Sequence, residues 1–325
     1  MHAWRGHAYG APETLVWEEV ADPPLGEGQV RIEIAASAVN FPDVLYVAGT
    51  YQVKPTPPFV PGFEVAGTVV ESGEPALPVG TRVASTLDGS GGYATHAVAT
   101  AMTTYAIPDH LPFEDAAALT ITYQTGHFAL HRRARLQAGE WVLVHAGAGG
   151  VGSATIQLAK AAGAKVIATA GGPEKVAVCT ALGADVAIDY QAQDFVSIVK
   201  KTTGGRGADV VFDPVGGDVF DKSTKCIAFE GRIIVIGFTS GRFPELKANH
   251  VLVKNYGVLG LHWGAYNLYD MPAVRSTQQA LYALYAAGSI KPLISSCRPM
   301  AEAPAAMAAV ASRATTGKVV LVPTR

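Results

Sequence analysis

The spacing of apolar and polar positions changes rhythm twice along the chain. Up to about residue 110 the apolar runs are short and rich in β-branched residues, as in GQVRIEIAASAVN, EVAGTVVESG and TRVASTL. Pro23-Pro24, Pro57-Pro58 and Gly91-Gly92 punctuate them. That pattern predicts short strands in a compact, mostly antiparallel β domain. From about Asp115 to Gln137 the pattern turns helical. After Trp141 strands and helices alternate. WVLVHA leads into a helix from Gly150 to Ala162, and KVIATA into a helix that Pro173 starts and that ends near Gly183. DVAIDY, ADVVFDPVG and GRIIVIGF continue the series. Repeated βα units of this length predict a parallel sheet with helices on both faces. The alternation stops near NYGVLGLHW. A helix over about Ser276 to Ala287 and the strand GKVVLVP close the chain.

The first of these βα units contains Gly147-x-Gly149-x-x-Gly152. The motif becomes informative when it follows a strand and opens a helix, as it does here. Gly147 permits the tight turn, Gly149 lets the backbone approach a pyrophosphate, and Gly152 lets helix and strand pack closely. Gly150 and Val151 supply the helix start, whose free N–H groups suit phosphate. An NAD-type site would place Asp or Glu about 20 residues on, against the ribose hydroxyls. Counting from Gly152 reaches Gly172, inside ATAGGPEK. Gly171 and Gly172 leave space, and Lys175 brings a cation, a combination suited to the 2′-phosphate of NADPH. Glu174 is the opposing charge, but an acid also suits a helix's first turn. Tyr190, at the end of AIDY, is placed to reach the same end of the cofactor.

Composition narrows the class further. With 325 residues, two domains are expected. Hydrophobic residues make up 49% and charged residues 16%, which suits a well-buried α/β enzyme. Lys+Arg at 25 against Asp+Glu at 27 gives no field for nucleic acid or an anionic membrane. The N-terminal stretch MHAWRGHAYG lacks a signal-peptide pattern, and no run of about 18 apolar residues predicts a membrane span. Cys179, Cys226 and Cys297 are too sparse for a disulfide framework. A cytoplasmic protein with reduced thiols is expected.

HAGAGGVG, GADVAIDY, DVVFDPVGG, GRIIVIGF and TTGKVVLVP, in this order, resemble the medium-chain dehydrogenase/reductase superfamily. Within it the chain is most similar to the zinc-free NADPH:quinone oxidoreductases of the ζ-crystallin-like branch. AVNFPDVLYVAGTYQ and PFVPGFEVAGTVVESG carry the resemblance into the N-terminal part. It implies an α/β chain: a GroES-like β-rich catalytic domain over 1–123 and 263–325, and a Rossmann domain, a doubly wound parallel sheet, over 124–262. It also implies Thr125 and Lys318 at the cofactor and a homodimer. Zinc alcohol dehydrogenases carry Gly-His-Glu where this chain has Gly62-Phe63-Glu64, and a ligand cysteine near Asn40. Three ligands are needed for catalytic zinc, and no His-x-x-x-His or Cys-x-x-Cys pairing is expected to build a different site, so no metal is expected.

Without a Lewis acid or a Gly-x-Ser-x-Gly nucleophile, hydride delivery to an already electrophilic acceptor remains. Quinones qualify, and so do enones, alkenals and enoyl thioesters, whose C=C reduction also needs a proton. Asn40, matched to VNFxD, is the expected donor to the developing oxyanion. Tyr46, Tyr51 and Tyr123 are expected to line the pocket or relay a proton. His145 is expected to be a satisfied structural histidine. A reading of another class is a dinucleotide-binding scaffold without turnover, since ζ-crystallins serve as bulk protein.

Overall fold

A computed structural model describes residues 1–87 and 91–323; Asp88, Gly89, Ser90, Thr324 and Arg325 lie outside the described residues. The chain divides into two compact units, Met1–Ile121 with Pro292–Arg325, and Thr122–Lys291.

The first unit is built on a seven-stranded sheet. Its order is Ile294–Pro299, Lys318–Val322, Gln29–Val39, Glu64–Ser72, Arg82–Thr86 and Thr104–Ala106, with His96–Thr100 also paired to Gln29–Val39. Pairing is antiparallel, as the short strands predict, except between Ile294–Pro299 and Lys318–Val322. Along Gln29–Val39 the side chains of Val30, Ile32 and Ile34 face the core, and Arg31 and Glu33 do not. From Ala36 to Val39 every residue is buried, so the strand delivers the next residue, Asn40, into the interior.

The second unit holds six parallel strands in the order Val186–Asp189, Lys165–Ala170, Trp141–Val144, Ala208–Asp213, Ile227–Val235 and Gly257–Gly260. Numbered along the chain that order is 3-2-1-4-5-6, the doubly wound arrangement of dinucleotide-binding folds. Its switch point lies beside the first strand, whose carboxyl end carries the glycine loop. Leu143, Ile167, Val211 and Ile233 fill the core between sheet and helices.

The expected boundary at 263 differs from the division observed at Lys291. The segment after 262 packs within the second unit. Trp263 Nε1 donates to Gln124 Oε1 at 3.3 Å, and Gln124 Nε2 donates to Gln278 Oε1 at 2.8 Å. Val274 and Leu281 of the helix Met271–Ala286 are fully buried. That helix begins earlier than expected because Asp270 caps it, accepting from Ala273 N. The helix expected over 115–137 runs Phe113–His127 and then widens into a π turn, Phe128–Arg133.

Candidate active site and cofactor cradle

In the first unit, Asn40 precedes the short helix Phe41–Val47. Asp43 reaches back to it, accepting from Asn40 N at 2.7 Å, which is half of a capping box. The Asn40 side chain has further partners. Its Oδ1 accepts from Lys318 Nζ at 2.6 Å. Its Nδ2 donates to Glu64 Oε1 at 2.8 Å and to Ala38 O at 3.2 Å. Lys318 Nζ also donates to Glu64 Oε1 at 2.7 Å, and Glu64 Oε2 accepts from Ile121 N at 2.9 Å. The ammonium fixes the amide's orientation, since a flipped amide would set NH2 against NH3⁺. Both amide protons are therefore committed within the protein.

The network continues through Asp43. Tyr93 donates to Asp43 Oδ2 at 2.8 Å, while Oδ1 is buried without a partner among the described residues. Burial pushes the Asp43 carboxyl up to about 7, against the opposing pull of the Asn40 N–H, the Tyr93 hydroxyl and Lys318. Burial likewise pushes the Tyr93 phenol well above its usual range.

Tyr46 and Tyr51 meet around Phe63. The Tyr46 ring stands edge-on to Phe63 at 5.2 Å and to Phe59 at 5.5 Å, and the Tyr51 ring lies 5.6 Å from Phe63. Burial, then the Asp43 charge, raises the Tyr51 phenol. An aromatic ring is packed where the zinc enzymes keep a histidine, and an ammonium lies 2.6 Å from Asn40. Among the described residues no three His, Cys, Asp or Glu side chains come together as a metal site.

In the second unit, the loop after Trp141–Val144 fits a pyrophosphate. A Cβ at Gly152 would lie 2.1 Å from Ala146 O, so only glycine lets the helix Gly150–Ala161 sit this close to the turn. A Cβ at Gly147 would lie 2.9 Å from Cys179 Sγ. Gly149 is the N-cap, and its missing side chain leaves the approach open. Thr125 is buried on the helix Phe113–His127. Its neighbour Gly126 presses on Leu158 and Thr155 of the loop's helix.

At the far end of the cradle Gly171 faces Tyr190. A Cβ there would come within 2.8 Å of the Tyr190 hydroxyl. Gly172 adopts φ +84° beside open space. Lys175 is half-buried in the first turn of Pro173–Ala181, and Tyr190 is half exposed. Asp189 ends the strand Val186–Asp189. Its Oδ1 accepts from Gly172 N and Gln191 N, both at 3.0 Å, and shapes this turn.

Two expected site residues have partners within the protein. Tyr123 is 1% exposed, donates to Lys291 O at 2.9 Å and accepts from Gln157 Nε2 at 2.8 Å, so its hydroxyl fastens the second unit together. Lys318 is 3% exposed and joins Asn40 and Glu64. His145 is satisfied as expected, bonded to Thr169 and Ser223, and burial drives its pKa down to about 3. Asp43, Glu64 and Tyr93 are the buried polar residues missed. The Asn-x-x-Asp spacing of a capping box signals Asp43; nothing local signals Tyr93.

Comparisons with known proteins agree with this architecture. Residues 26–109 match the alcohol dehydrogenase GroES-like domain, and residues 150–279 the zinc-binding dehydrogenase domain. A quinone oxidoreductase-like protein 2 homolog of Nematostella vectensis is 40% identical, over 94% of this chain and 85% of its own. The chain belongs to the quinone oxidoreductases of the medium-chain dehydrogenase/reductase superfamily. Among solved structures, Escherichia coli quinone oxidoreductase complexed with NADPH superposes with a TM-score of 0.93 at 30% identity, covering 99% of this chain and 100% of that one. A 2-haloacrylate reductase of Burkholderia sp is 34% identical over 98% of this chain and 97% of its own.

Proposed function

We propose that the protein is an NADPH-dependent, metal-free oxidoreductase that reduces quinones. The observation that carries this reading is the Lys318–Asn40–Glu64 cluster, standing where a zinc enzyme would keep its ligands. Gly147, Gly149, Gly150, Val151 and Gly152 would hold the pyrophosphate. Gly171, Lys175 and Tyr190 would hold the adenosine 2′-phosphate, and Thr125 would face the nicotinamide. When bound, the nicotinamide supplies a hydride to the acceptor. The residues of the chain then meet the negative charge that develops on the acceptor's oxygen. Asn40 meets it by releasing its longer bond, the 3.2 Å contact to Ala38 O, and turning that proton outward. Because the amide is planar, that turn pivots on its bonds to Lys318 and Glu64 and lengthens them. Tyr46 and Tyr51, gathered around Phe63, form an apolar wall that excludes water.

A second reading is reduction of an activated C=C bond, supported by the similarity to 2-haloacrylate reductase. A screen of NADPH oxidation against quinones and enones separates the two, and absence of turnover with either class overturns both. Lys175→Ala should weaken NADPH binding about tenfold to a hundredfold and leave NADH nearly unchanged. Equal losses would remove Lys175 from the 2′-phosphate site.

The same reading includes a cytoplasmic homodimer. It is supported by three unpaired cysteines and by the outer edge of the six-stranded sheet. Leu252 and Val253, on the helix preceding that edge strand, are more than three-quarters exposed. Among the described residues no helix is long and apolar enough to cross a membrane. Light scattering at micromolar concentration tests the dimer.

A further inference from the structure

His127 and His131 stand four residues apart where the helix Phe113–His127 passes into the π turn Phe128–Arg133. This His-x-x-x-His spacing has the form of a chelate, and its presence corrects the expectation that the chain holds no such pairing. The imidazole centroids lie 4.4 Å apart with their planes at 48°. His127 is half-buried and His131 exposed. Neither ring has a hydrogen-bond or ion-pair partner among the described residues.

We propose that His127 and His131 form a two-imidazole site for a divalent transition cation of the Cu²⁺ or Ni²⁺ type, separate from the dinucleotide chemistry. With metal–nitrogen bonds of about 2.0 Å, two imidazoles at right angles on one ion place their centroids about 4.5 Å apart; a tetrahedral angle requires about 5.2 Å. The observed 4.4 Å is near the right-angled value and short of the tetrahedral one. Among the described residues no third His, Cys, Asp or Glu joins the pair, so water completes the coordination. That disfavours structural zinc and, by the affinity order of divalent ions, favours Cu²⁺ over Ni²⁺.

The surroundings permit a cation. Backbone carbonyls at a helix C-terminus carry partial negative charge. Arg132, the nearest cation in sequence, is neutralised by Asp270 at 2.7 Å and lies over the Tyr266 ring. Arg133 is turned to Gly260 O at 3.1 Å.

The test uses untagged, chelator-stripped protein in a His2→Gln background, which removes a competing site formed by the N-terminal amine and His2. Calorimetric titration with CuCl2 should show one equivalent bound per chain. Electron paramagnetic resonance should report two nitrogen ligands. His131→Gln should weaken binding about a hundredfold, because the second bond to a held ion is intramolecular. His131 is exposed, so the variant should keep the wild-type melting temperature. His110→Gln should change nothing. No stoichiometric binding, or undiminished binding by His131→Gln, overturns the proposal.

Discussion

Lys318 and Glu64, 254 positions apart in sequence, meet at 2.7 Å with their side chains 4% and 0% exposed. The pair ties the strand Lys318–Val322 to Glu64 at the start of Glu64–Ser72, and Asn40 bonds to both members. A buried charge is tolerated only while its partners are in place.

Removing one member should therefore be costly. Lys318→Met and Glu64→Gln should each destabilise the protein by about 3–5 kcal/mol, and the double variant should recover part of the loss. Urea denaturation measures this, following a probe in the first unit because a two-unit chain need not unfold in one step. Single variants as stable as wild type would show that the pair contributes nothing.

Asp43 makes stability depend on pH. Its folded value, about 7, lies above the ordinary 3.8, so the native chain holds the proton more tightly than the unfolded chain does. This stabilisation is complete below about pH 4 and is lost as pH rises through 7, at most about 4 kcal/mol. Asp43→Asn, which cannot ionise, should gain on wild type from about pH 4 to pH 7 and hold level above that. Melting temperatures of the two proteins across that range decide it: parallel curves would mean that Asp43 does not titrate there.

Glycine substitutions in the cradle should rank by the contact each would make. Gly152→Ala would set a methyl 2.1 Å from a backbone carbonyl, and it should destabilise the second unit and abolish NADPH binding. Gly149→Ala, 3.3 Å from the same carbonyl, should fold normally and only weaken NADPH. Fluorescence titration of NADPH beside melting curves would reveal a reversed order.

Asn40→Ala should lower kcat about a hundredfold to a thousandfold with NADPH affinity close to wild type. It should also cost about 1–3 kcal/mol of stability, since Lys318 and Glu64 each lose a partner. If turnover with quinones and enones survives, Asn40 only holds the ion pair in place.

The second unit was legible because its signals are local. Each βα repeat announces itself, and Gly147, Gly149 and Gly152 occupy the turn their spacing implies. The boundary after residue 262 was not legible. Helical periodicity in Met271–Ala286 shows that Val274 and Leu281 face a core, but not which core. Asn40 stands just ahead of Pro42, with its backbone N–H held locally by Asp43. Its side chain answers instead to Lys318, 278 positions away, a pairing no window of sequence displays. Tyr123 shows the converse: its place in ITYQTG suggested a pocket, but its hydroxyl is spent on Gln157 and Lys291.

The split composition of the first unit has a consequence for synthesis. The second unit is one continuous stretch, Thr122–Lys291, and can close while the chain is still growing. The first unit must wait for Lys318–Val322, which enters its sheet between Ile294–Pro299 and Gln29–Val39. At about 5–20 residues per second, Glu64 leaves the ribosome roughly 13–50 s before its lysine does. Nascent chains arrested short of residue 318 should be cut by protease in the N-terminal part and resist it in the dinucleotide-binding part. The order of translation thus makes the cofactor cradle the first finished piece of the enzyme, and the unit bearing Asn40 the last.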